Sequence, residues 1–235
     1  MNWYQVIFYQ PVLNLLIYFY DTIALHNLGL AIILVTVFIR LILFPFFHRG
    51  ARQQMLMQRI QPHVKKIQET HKDDIQKQSA ALMALYKEHG INPFSSFLLL
   101  LIQIPIMLAL YWSVRSGLGS GQITGLYHFV PVPQSLNTLF LGFINLAAPS
   151  IILLLLAAVA QYAQARLAIY KQPAGHTPST AEKMARQMSF IGPVMTLVIF
   201  YSLPAAVALY WLTTSIFASV QQIFVNRSLR EKFGA

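Results

Sequence analysis

Residues 28–47 read LGLAIILVTVFIRLILFPFF, an apolar run whose one charge is Arg40. About 18 or more such residues suffice to cross a hydrocarbon core of about 30 Å at about 1.5 Å per helical residue. The rest of the 235-residue chain agrees with a bilayer setting. Apolar residues make up 56% and charged residues 10%, against about a quarter charged in a soluble domain. So few charges cannot cover a water-facing surface. There is no Cys, which excludes disulfides, thiolate metal sites and a Cys nucleophile. The start, Met1-Asn2-Trp3-Tyr4, has no basic region or small-residue cleavage site, so a cleaved signal peptide is not expected.

Working outward, residues 1–26 are aromatic and apolar but interrupted by Gln5, Gln10, Pro11, Asn14 and Asp21. They suit an amphipathic helix lying at the interface, with a short first span as the competing reading. The first core span is 27–47. Residues 48–91 are rich in Lys and Arg, with apolar residues at helical spacing, and read as a hairpin of two amphipathic helices kinked at Pro62. A second span follows at 92–113, an extracytoplasmic loop with the single charge Arg115 at 114–146, and a third span at 147–170. A polar loop at 171–187 leads to a fourth span at 188–203. Leu203-Pro204 breaks the last long apolar run, giving a fifth span at 204–226 and a short basic tail at 227–235.

Fifteen of the 17 Lys and Arg lie in 48–91, in 166–186 or in the tail. Alternating spans put all three regions on one side, and the positive-inside rule makes that side cytoplasmic. The expected fold is therefore all-α: a bundle of five transmembrane helices, N-out and C-in, with an N-terminal interfacial helix and a cytoplasmic helical hairpin. The same rule explains the net charge of +10 without a specific nucleic acid.

Arg40 is the sharpest feature. A straight span places it roughly 12 Å from the cytoplasmic boundary, where an arginine costs from about 2.5 to over 10 kcal/mol. It needs an acid, a route to the surface by snorkelling, or a wet cavity. No Asp or Glu lies in any span. Polar residues recur at matching depth on other spans: Gln103 in the second, Gln161 and Gln164 in the third, Thr196 in the fourth, Tyr210 and Thr214 in the fifth. Each taken singly is ordinary interhelical glue. Taken together they suggest a hydrated groove open to the cytoplasm. No H-E-x-x-H, G-x-S-x-G or P-loop is present, and the seven His lie in loops or at boundaries. An enzyme is not expected, nor is a cofactor or metal. A small-solute channel or transporter is the alternative, weakened by the missing intramembrane acid. A membrane-anchored scaffold is a third reading.

Several stretches carry a likeness. Thr36-Val37-Phe38-Ile39-Arg40 with Phe44-Pro45, then Gln61-Pro62 and Ala84-Leu85-Tyr86-Lys87, are followed by Asn92-Pro93 and Leu101-Ile102-Gln103-Ile104-Pro105-Ile106. Leu203-Pro204-Ala205-Ala206 and Leu209-Tyr210-Trp211 complete the series. In order and spacing the chain resembles the YidC-type membrane insertases, which include the mitochondrial Oxa and chloroplast Alb proteins. It departs from the family pattern at Ser95-Ser96-Phe97, Ala206 and Ser215, and neither the large periplasmic domain nor the long basic tail of some members is expected. The resemblance implies a bacterial inner-membrane insertase and chaperone that works without nucleotide hydrolysis. Its partners would be nascent membrane proteins and the lipid bilayer, with the ribosome and a Sec-type translocon as further candidates. Arg40 would attract acidic groups of the substrate. Thr36, Gln103, Gln164, Tyr210, Trp211 and Thr214 would be further contacts, beside Gln161 and Thr196.

Overall fold

The structure is a computed structural model, and it describes residues 2–118, 123–133, 135–169 and 180–233. A π-helical turn, Gln5–Tyr9, leads into α1 (Gln10–Thr22), α2 (Leu28–Ile42), α3 (Phe44–Arg59), α4 (Gln61–Thr70) and α5 (Ile75–Glu88). Then come α6 (Ser95–Leu118), the strands β1 (Leu139–Phe140) and β2 (Ile144–Asn145), α7 (Ile151–Leu167), α8 (Thr180–Phe200) and α9 (Ala205–Phe233). The chain is thus a predominantly helical membrane protein. Among the described residues, α6 and α9 are each long and apolar enough to cross a bilayer, and the pair α2–α3 passes the same test together. The apolar parts of α7 and α8 are shorter.

Helix α9 is the hub, packing on α7, α2, α3 and α6. Small residues let it come close: Ala205, Ala206 and Ala208 are buried in one cluster with Ala31 of α2 and Ala109 of α6. The outer faces of α6 and α7 keep Leu101, Ile104, Leu155 and Val159 exposed, which is the arrangement lipid rather than water solvates. Inside, the protein must satisfy its own polar groups.

Helix α1 is about 20 Å long and buries Val12, Leu13, Leu16, Ile17 and Tyr20 against the bundle. Buried Asn14 ties it to the loop after α6. Its amide Nδ2 donates to the carbonyls of Gln10 (2.8 Å) and Gly125 (3.0 Å), and its Oδ1 accepts from the Tyr127 backbone N–H (2.6 Å). Asn14→Ala strands these groups in an apolar setting. It is expected to destabilise the fold by about 2–3 kcal/mol and to open the segment around Tyr127 to protease. Thermal unfolding and limited proteolysis in detergent check this, and unchanged protection would refute it.

Four boundaries differ from the sequence reading. The first core span does not run straight to Phe47. It stops at Ile42, and α3 leaves at a bend of 70°. Pro45 is the cause, because it sits in the first turn of α3, where its missing N–H costs nothing but cannot continue α2. Pro62 starts α4 in the same way rather than kinking a continuous helix. The polar loop expected at 171–187 falls partly outside the described residues, and from Thr180 the chain is already helical. Ala181-Glu182-Lys183-Met184 are good helix formers, so the helix outlasts its apolar part. For the same reason α9 runs on to Phe233, through most of the expected tail.

Helices α4 and α5 pack on each other through Ile60, Val64, Leu82, Leu85 and Tyr86. Asp74 caps α5, accepting from the Lys77 N–H at 3.0 Å. The Lys77 backbone bond and the Lys77 ammonium hold the Asp74 carboxyl below the usual carboxylate range. Side-chain amides join the hairpin and the bundle. Gln53 donates to the Gly90 carbonyl (3.3 Å) and accepts from the Asn92 N–H (3.2 Å). Gln58 of α3 and Asn226 of α9 donate to the carbonyls of Ala168 and Leu167 at the end of α7, at 3.0 and 2.9 Å. Gln221 of α9 donates to the Phe44 carbonyl at the α2–α3 bend, at 3.1 Å.

Candidate functional site

The bend puts Arg40 in the last turn of α2, facing α6 and α9. It is 7% exposed. Its Nη2 donates to Gln103 Oε1 of α6 at 3.0 Å, and Gln103 Nε2 in turn donates to the Tyr210 hydroxyl of α9. The guanidinium carbon stands 4.1 Å from the centre of the Phe47 ring, a cation–π distance. Three helices and the start of a fourth thus meet on one cation. The ion pairs among the described residues are His26–Asp21, Lys65–Glu69 and Lys77–Asp74, and none involves Arg40.

The space beside the guanidinium is lined by Thr36, Ile39, Arg40, Leu43, Phe47, Gln103, Ile106 and Tyr210. Its volume is about 10 Å³, roughly what one water needs. Thr36 is buried with its hydroxyl turned to the Ile32 carbonyl of its own helix, at 2.6 Å. The site therefore presents a cation whose described partners are neutral groups. A guanidinium has five donors, so it retains capacity for an acceptor, and an anionic one would be the strongest.

Of the candidates read from the sequence, Thr36, Arg40, Gln103 and Tyr210 come together. Thr214 is buried one turn along α9 from Tyr210 but does not line the cavity. Gln161 and Thr196 are elsewhere, where they bond to each other across α7 and α8 at 2.6 Å. Gln164 is half-buried near the end of α7, outside the cavity. Trp211 faces the other way, its ring 5.3 Å from Phe200 at 88°, in a cluster with Leu154 and Leu203. One residue escaped the sequence reading: Phe47 reaches Arg40 through the bend, and Pro45 was the available signal for it. Gln221, which aligns with Tyr210 and Thr214 in the sequence, holds the bend rather than the cation.

A helical membrane protein that keeps an arginine between its helices on neutral partners is the class defined by this fold and site. The sequence matches the family described as "60Kd inner membrane protein" over residues 18–232, and the chain belongs to that family of inner-membrane proteins. It is similar to the membrane protein insertases YidC of Francisella philomiragia subsp. philomiragia and Francisella tularensis subsp. novicida. Each is 33% identical over 201 residues, covering 86% of this chain and 33% of the relative. The chain thus spans about a third of the length of these curated relatives. A crystal structure of an active YidC insertase, with its first transmembrane domain resolved, superposes with a TM-score of 0.63 at 28% identity. That match covers 94% of this chain and 46% of the other.

Proposed function

We propose that the chain is a membrane protein insertase that receives nascent transmembrane segments at Arg40 and releases them into lipid. The observation that carries this reading is the buried Arg40, held by Gln103 and Phe47 with no carboxylate paired to it among the described residues. Burying an unpaired cation is unfavourable, so a fold that keeps one gains from a counter-charge supplied by the substrate. Acidic groups in the segment being translocated are the natural source. The relatives' insertase name supports the same reading.

In this scheme the five spans run N-out to C-in, and the α4–α5 hairpin and the end of α9 face the cytoplasm. The substrate enters from that side. Thr36, Gln103 and Tyr210 supply neutral hydrogen-bonding partners around the cation. Thr214, buried one turn along α9 from Tyr210, and Gln164, half-buried near the end of α7, are further contacts, whereas Trp211, Gln161 and Thr196 face other parts of the bundle. Attraction and partitioning drive the step, without nucleotide hydrolysis.

The test is site-specific photocrosslinking from position 40 during translation of a membrane protein with an acidic translocated segment. A crosslink to the nascent chain that disappears when the acids are neutralised supports the reading. Equal crosslinking to acidic and neutral segments, or none to either, refutes it. Passage of a small solute through the reconstituted protein, with no nascent-chain crosslink, would instead identify a channel.

A further inference from the structure

Two turns at one end of the bundle share an unusual construction. In Ala24–Asn27 the Asn27 N–H bonds to the Ala24 carbonyl at 2.9 Å, and both central residues have positive φ, Leu25 at 51° and His26 at 56°. In Phe140–Phe143 the Phe143 N–H bonds to the Phe140 carbonyl at 3.3 Å, and the central residues are Leu141 at 54° and Gly142 at 81°. Paired positive φ marks the I′ kind of turn, whose first central position favours Asn, Asp or Gly. Both turns place leucine there, in a left-handed conformation its Cβ resists. Neither leucine gains packing inside the protein: Leu25 is 82% exposed and Leu141 65%.

The two turns are bonded to each other. Asn27 Nδ2 donates to the Leu139 carbonyl at 3.0 Å, and the Leu28 N–H donates to the Asn137 carbonyl at 3.2 Å. Phe140 anchors the hairpin inward, so close to Gly29 that a Cβ there would lie 2.1 Å from the ring. Leu139, Leu141 and Phe143 are exposed on the hairpin, and Ile23 stands exposed beside the first turn. The result is an apolar edge, built at a conformational cost and exposed among the described residues.

Its chemistry selects the occupant. From residue 116 to residue 165 the sequence contains no Asp, Glu, Lys or Arg, which suits neither a water-facing surface nor the polar rim of a protein interface. The edge is continuous with the membrane-facing belt, because α2 begins at Leu28 and α7 at Ile151, with Leu30, Ile151 and Ile152 exposed in their first turns. The Asp21–His26 pair, 3.4 Å apart, sits alongside and sets the depth at the headgroup boundary rather than in mid-bilayer. We propose that the Leu25 and Leu141 turns form a paired wedge seated in the lipid leaflet at this end of the bundle, below its headgroups, fixing the start of α2 and the loop after α6 against the bilayer.

The chain has no cysteine, so a spin label can be placed at one position at a time. Leu25→Cys, Leu141→Cys and Phe143→Cys are labelled in the full chain, with Met83→Cys on exposed α5 as the water-facing reference. All are reconstituted into vesicles of phosphatidylethanolamine and phosphatidylglycerol. The label at 25, 141 and 143 is expected to relax severalfold faster with oxygen than with a water-soluble nickel chelate, and the label at 83 to show the opposite order. Nickel access at 25 and 141 equal to that at 83 would overturn the proposal, since the turns would then lie in water. Low access to both reagents would overturn it too, by showing the edge buried against protein. Circular dichroism of each labelled variant confirms that the helices are kept.

Discussion

Arg40→Leu is expected to leave the protein as stable as before or more so, while lowering insertion of substrates with acidic translocated segments roughly tenfold or more, the loss of about 1.4 kcal/mol or more of capture energy. The two effects have opposite signs for one reason. Arg40 is 7% exposed, and its guanidinium has the neutral Gln103 as a hydrogen-bonding partner. Its desolvation outweighs one hydrogen bond, which is worth about 1.5–3 kcal/mol to a charged group. An apolar replacement removes the desolvation penalty, which exceeds the cost of leaving Gln103 Oε1 without its donor while Gln103 Nε2 stays on Tyr210. Residues that serve the fold lower stability when removed, and residues that serve a ligand often raise it. Arg40→Lys keeps the charge but not the planar fork or the stacking on Phe47, and is expected to fall between. Thermal unfolding gives the first arm and complementation of insertase-depleted cells the second. Wild-type insertion by Arg40→Leu would end the mechanism for those substrates.

Phe47→Ala is expected to expose the site. The Phe47 ring lies over the guanidinium and lines a space of about 10 Å³. Removing it should turn room for one water into room for several. The measurement uses Thr36→Cys, a near-isosteric change at a buried position lining the same space. Its reaction with a water-soluble maleimide should be slow with Phe47 present and roughly tenfold faster with Ala at 47, since thiol reactivity follows access. Phe47→Tyr keeps the cover and should leave the rate unchanged. Equal rates in all three backgrounds would mean that water reaches Arg40 by another route, or not at all. This result bears on the cover alone and is independent of whether the protein inserts substrates.

The helical bundle was legible because its signals are local. Unbroken apolar runs, Leu203-Pro204 and the Lys- and Arg-rich stretch can each be read without knowing any neighbour. Arg40, Gln103 and Tyr210 were legible as expensive residues at one depth. What could not be read was rotation. Periodicity says that Gln161 lies on some face of α7 and Thr196 on some face of α8. It does not say that those faces meet each other rather than Arg40. Trp211 follows Tyr210 directly, so on a helix it points about 100° away, and it packs on Phe200. The bend at Leu43 was a different kind of miss. Pro45 announces it, but inside so apolar a run the proline reads as part of a span, since prolines are tolerated there. Pro105 in α6 and Pro193 in α8 show the tolerance within unbroken helices.

The side-chain amides that join α3, α7 and α9 have a consequence for how the molecule responds to its surroundings. Gln58, Asn226 and Gln221 hold backbone carbonyls with neutral groups, which do not titrate and which dissolved ions screen little. The Arg40 site works through charge, which salt does screen wherever water carries it. If Arg40 captures acidic segments as proposed, ionic strength acts on that attraction while leaving the joints of the frame as they were. On that proposal, a change of internal salt would alter what the arginine draws in without loosening the scaffold that holds the arginine in place.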